Sequence, residues 1–132
     1  MDWIQPAGWR RPKGYSNGVV VEGCRMVVLA GQVGWDEEER IVPGGFVAQF
    51  ERALANVVTV VRAAGGGPEH LVHLRLYITD KAAYNSQLKA IGEVYRKVVG
   101  KHFPCMTAIV VAGLVEDGAL VEIEGLAAPP PK

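Results

Sequence analysis

Little in this sequence favours a charged partner. Its 14 Lys and Arg are matched by 14 Asp and Glu, for a formal net charge of zero. No Lys/Arg-rich stretch stands ready to neutralise a row of phosphates, so charge gives no indication of nucleic-acid binding. Cysteine is scarce, with Cys24 and Cys105 as the only two. Two cysteines cannot build a disulfide scaffold, and reduced, half-buried thiols are the expectation in a chain without an export signal. No apolar run approaches membrane-spanning length, and the opening residues MDWIQPAGWRRPKG lack the charged start and apolar stretch of a secretory signal. A soluble cytoplasmic protein with no membrane partner is expected. Metal-ligand spacing is missing too. His70, His73 and His102 are joined by no carboxylate or cysteine at ligand spacing, and His70 and His73 on one strand point to opposite faces. No metal and no cofactor are expected.

At 132 residues the chain has the length of one domain, expected to span 1–132, and it can bury a core without staples. Residues 18–31, GVVVEGCRMVVLAG, read as two β-branched runs broken at Gly23 and Cys24, a hairpin signal. The polar segment after Gly31 reads as a loop that carries Trp35, placed either to line a cleft or to pack on the domain. From Phe46 to Ala64, Phe46, Phe50, Leu54, Val57, Val58 and Val61 recur at helical spacing, and Gly65-Gly66-Gly67-Pro68 ends the helix. HLVHLRLYITD, residues 70–80, reads as a strand, with Asp80 as a cap for a second helix over 82–99. Two further strands, TAIVVAGL and ALVEIEGLA, flank the turn-prone VEDG. Strand, strand, helix, strand, helix, strand, strand predicts an α+β fold with both helices on one sheet face. The other face is left without cover, and self-association is the economical solution.

Several of these stretches together resemble the Rid family, also called YjgF/YER057c/UK114. They are GYSNGVV, LAGQVGWD, QFERALANVVTVVRAAGG, HLVHLRLYITD, FPCMTAIVVAGL and LVEIEGLAA, in order over nearly the whole chain. The resemblance implies a chorismate-mutase-like fold, a homotrimer with a central β-barrel, and small-molecule clefts between subunits. It also implies hydrolysis of reactive enamines and imines to 2-oxo acids and ammonia. Carried over by position, Glu122 holds the attacking water and Tyr15 and Gly31 persist. The serine and asparagine of the family pattern stand here as Ala30 and Gly92. The family's Pro-Ala-Arg-Ser becomes Pro104-Cys105-Met106-Thr107, so Met106 occupies the position of the carboxylate-binding arginine.

That replacement bears on chemistry. A planar guanidinium clamps a carboxylate through two hydrogen bonds, whereas a thioether carries no charge. Losing a charged partner in a buried pair costs about 2 to 5 kcal/mol. Alternation places His73, Arg75 and Tyr77 on one strand face with Leu71, so Arg75 either substitutes for the missing cation or simply pairs with an acidic residue. Cys105 has no adjacent cation except His102 and reads as inert. Two functions remain open. One is an imine deaminase of altered specificity for a larger or less anionic substrate. The other is a non-catalytic member that binds a small metabolite in the inter-subunit cleft. Ribonuclease activity finds no support in the neutral charge.

Overall fold

A computed structural model describes residues 1–132. Six strands and three helices follow in the order β1 (Asp2–Ile4), β2 (Gly18–Val20), β3 (Val27–Val33), α1 (Phe46–Ala63), β4 (Leu71–Ile78), α2 (Lys81–Asn85), α3 (Leu88–Val98), β5 (Cys105–Val110) and β6 (Val121–Ala127). The main sheet is mixed, with strand order β3-β6-β4-β5; β4 runs parallel to β5 and antiparallel to β6. This is the α+β arrangement expected. β1 and β2 form a separate two-stranded antiparallel ribbon.

The expected hairpin over residues 18–31 does not form. β2 pairs with β1, and β3 pairs with β6. Alternation marks a strand but does not name its partner, and pairing with β6 lets Leu29 and Val33 bury their side chains in the core. Helix α1 follows its apolar stripe closely, with Phe50, Leu54, Val57 and Val61 all buried. Its end is a Schellman arrangement: Gly65 N–H donates to the Arg62 carbonyl and Gly66 N–H to that of Val61, each at 3.0 Å, with Gly65 at φ 86°.

The second helix is two. Asp80 caps α2 as expected, its carboxylate accepting from Ala83 N–H at 3.0 Å. The chain then breaks at Ser86-Gln87, where both side chains donate to the Ala83 carbonyl and so compete with the helical ladder. β4 also departs from strict alternation. A register shift between Leu71 and His73 turns Leu71 into the core, while His73, Arg75 and Tyr77 stay half-exposed.

One core cluster of 18 buried residues joins α1 and α3 to the same face of the sheet, through Leu74, Leu76, Val121 and Ile123. The N-terminal segment is fastened to the start of β5. Ser16 N–H donates to the Pro104 carbonyl at 3.1 Å, and its hydroxyl donates to that of Phe103 at 2.6 Å. This clamp sets Tyr15 beside the strand that carries Met106.

Candidate functional site

Where α3 meets β4 and β5, the helix-side face of the sheet opens into a cavity of about 540 Å³. Its floor is Leu76, Met106 and Ala108, and one wall is Ile91, Gly92 and Tyr95 of α3. Tyr15 closes it from the N-terminal segment. Met106 stands opposite Leu74 in the parallel register and packs against the core. The Tyr95 ring stacks on Phe103 with centroids 5.9 Å apart, and its hydroxyl donates to the His102 carbonyl at 2.5 Å. Burial pushes this phenol far above its ordinary range, and its hydroxyl is committed to the His102 carbonyl, so the ring serves as a wall.

The cavity is mainly apolar, and its charged lining residues are both cations. Lys13 and Arg96 stand in it, and no Asp or Glu lines it. Sequence reasoning passed over both. The signal for Arg96 was its position four residues after Gly92, one turn along the same helix face.

A second group of the expected residues lies on the opposite face of the sheet. Pairing sets Glu122 against Tyr77 and Glu124 against Arg75, so both carboxylates project away from the helices. The two differ in their surroundings. Glu124 accepts from the Tyr77 hydroxyl and from Arg75 Nη1, the latter at 3.1 Å. Those donors, Tyr77 first, hold its carboxyl below the usual carboxylate range. Glu122 forms no ion pair or side-chain hydrogen bond within the chain. It lies against Gly31, where a Cβ would collide with its carboxylate. At that point β3 gains one residue on β6 between Leu29 and Gln32, a bulge centred on Ala30-Gly31.

The expected site residues therefore fall into two groups. Tyr15, Gly92 and Met106 share the helix-side cavity. Glu122, Gly31 and Arg75 lie on the other face, and the exposed Thr107 stands opposite Arg75 in register. Arg75 faces away from Met106 and is engaged by Glu124, the simpler of its two expected roles. His73 stands near this pair, and burial followed by the Arg75 charge lowers its pKa.

The remaining candidates have structural employment. His70 Nδ1 accepts from Gly67 N–H at 2.9 Å, and His102 Nε2 sits 2.6 Å from the Leu71 carbonyl. Cys24 and Cys105 are free thiols, and burial raises the pKa of Cys105, which disfavours the reactive thiolate. The Trp35 carbonyl accepts from Arg52 and Asn56, which fixes its loop to α1. No helix is long and apolar enough to cross a membrane.

Comparison with known proteins extends these observations. The profile of the family described as Endoribonuclease L-PSP matches residues 10–129. The RutC family protein UK114 of Drosophila melanogaster is 35% identical over 114 residues, 86% of this chain and 78% of that one. The human 2-iminobutanoate/2-iminopropanoate deaminase is 30% identical over the same length, with the same coverage of both chains. Among solved structures, YyfB of Yersinia pestis, a Rid-family protein of unknown function, superposes with a TM-score of 0.83 at 30% identity, covering 96% of each chain. RidA of an Antarctic Psychrobacter gives a TM-score of 0.68 at 30% identity, covering 97% of this chain and 99% of its own. With the match running from the N-terminal clamp through β6, the chain belongs to the Rid, or YjgF/YER057c/UK114, family.

Proposed function

We propose that this protein hydrolyses a reactive imine or enamine to a carbonyl compound and ammonia, with a specificity moved away from small anionic substrates. The observation that carries the reading is the Glu122 carboxylate, unpaired and seated against Gly31 at the β3 bulge, while its same-face neighbour Glu124 is fully engaged. A free carboxylate can accept a proton from water and aim the oxygen at a C=N carbon. Water adds to that carbon to give a carbinolamine. The proton passes to nitrogen, and collapse to the carbonyl expels ammonia. Relatives about 30% identical bear the name 2-iminobutanoate/2-iminopropanoate deaminase, which supports the same chemistry.

Met106 and Glu122 lie on opposite faces of one sheet, so one chain cannot bring them to one substrate. A cleft between copies can, and a homotrimer is the assembly that the family resemblance implies. In that cleft Glu122 of one copy meets the Met106 cavity of the next, with Tyr15 at its mouth.

The test is ammonia release from 2-iminopropionate and from a branched-chain imine, each generated in situ by an amino-acid oxidase. Glu122→Gln should lower the rate about 10²-fold to 10⁴-fold, the usual contribution of a positioned acid or base. Met106→Arg should raise activity on 2-iminopropionate. Inactivity of the wild-type protein and of Met106→Arg on both imines would sink the deaminase reading and leave a metabolite-binding member of the family.

A further inference from the structure

Arg96 gives the helix-side cavity a cation of its own. Its side chain folds back along α3, leaving Nη1 3.6 Å from the point a Cβ at Gly92 would occupy. A residue with a longer side chain at position 92 would take that space, so the absent side chain leaves room for the guanidinium at the cavity wall. Arg96 makes no ion pair, whereas its neighbour Lys97 is tied to Glu51 at 3.0 Å. Lys13 stands in the same cavity, likewise outside every ion pair, and no carboxylate lines the space. Leu76, Ile91, Met106 and the rings of Tyr95 and Phe103 are among the apolar groups that make up most of what remains. The space thus offers two cations to an anion and a mainly apolar lining to hydrocarbon. A volume of about 540 Å³ exceeds what a three-carbon acid fills.

We propose that Arg96, assisted by Lys13, holds the carboxylate of a 2-oxo or 2-imino acid whose branched or aromatic side chain fills the cavity over Met106. The proposal rests on the deaminase reading for the imine but not for binding, because the 2-oxo acid product binds without any reaction. A guanidinium offers a carboxylate two parallel donors, and this one approaches from the helix. The apolar floor then selects for the substrate body, since each further buried methylene strengthens binding about fourfold.

Titration calorimetry tests this with 4-methyl-2-oxopentanoate, its methyl ester and pyruvate. The wild-type protein should bind the branched acid at least about tenfold more tightly than pyruvate. Arg96→Ala should weaken the branched acid about tenfold or more and leave the ester unchanged, with Arg96→Lys between wild type and Arg96→Ala. Absent binding of the branched acid would overturn the proposal. So would equal binding of acid and ester by the wild type, parity with pyruvate, or an acid affinity untouched by Arg96→Ala. Ammonia release from the branched-chain imine and from 2-iminopropionate, by wild type and Met106→Arg, reports on the deaminase reading separately, so failure of one does not imply failure of the other.

Discussion

The Glu122 carboxylate occupies the space that a side chain on Gly31 would need. The contact is made by the far end of a flexible side chain, and Gly31 lies outside the left-handed region. Gly31→Ala should therefore fold, with a melting temperature within a few degrees of wild type, while the carboxylate swings aside. Misplacing a reacting group by about 1 Å can cost about 10²-fold in rate. The expected outcome is near-normal melting with ammonia release reduced by about that factor. Unchanged activity would show that the seating of Glu122 against Gly31 has no part in the chemistry.

Gln49 is the one buried polar side chain of the chain, 4% exposed on the core face of α1. Its amide donates to the Gly118 carbonyl at 3.0 Å and accepts from Leu120 N–H at 2.8 Å, fixing the turn that leads into β6 and Glu122. Gln49→Leu removes both bonds and leaves two part-buried backbone groups unpaired, at about 1 to 3 kcal/mol each where water cannot replace the partner. Denaturant unfolding should show a loss of about 2 to 6 kcal/mol for the two groups together. Gln49→Glu keeps the acceptor for Leu120 but loses the donor, and should destabilise as well.

These two contacts mark what could and could not be read from the residues in order. The α1 stripe, the Asp80 cap and the half-buried β4 and β6 were legible because each is local: its signal lies within one or two turns, or within a period of two. The partner of β3 was not, since a β-branched run pairs equally well in principle with any edge. The break at Ser86-Gln87 was hidden because it depends on side chains capturing the Ala83 carbonyl. The division of the expected site across two sheet faces was hidden for a similar reason. Position in a motif places Met106 and Glu122 in the chain, but the registers Leu74 with Met106 and Tyr77 with Glu122 decide which way each points. Gln49 did leave a trace, a polar residue inside an apolar helical stripe, which calls for a backbone partner.

Acid should find the Glu124 cluster. Tyr77 and Arg75 hold the Glu124 carboxyl below its ordinary range, so the ionised form is favoured in the folded state. A depressed folded pKa adds stability that is present above the unfolded value and disappears as pH falls through the folded one. Melting of wild type and Glu124→Gln should therefore differ most above about pH 5 and converge below that pKa. The side chain is 35% exposed, so the gap will be modest and should shrink further in high salt. A gap independent of pH from 7 to 3 would show that the Tyr77 and Arg75 contacts do not act through the charge.

Gly92 offers the opposite sign. A glycine inside a helix is about 0.5 to 1 kcal/mol less favourable than alanine, because the unfolded chain has more freedom to lose. Here the helix requires no positive φ at position 92, and the nearest atom to an added Cβ is Arg96 Nη1 at 3.6 Å, an ordinary contact. Gly92→Ala should thus raise stability by about that amount, visible as a higher denaturant midpoint with unchanged slope. Gly92→Leu adds atoms that must enter the space held by the guanidinium. It should match the alanine variant in helix propensity yet weaken binding of 4-methyl-2-oxopentanoate by pushing Arg96 aside and narrowing the cavity. If the leucine variant bound the acid as tightly as the alanine variant, the space beside Gly92 would have no role in placing Arg96.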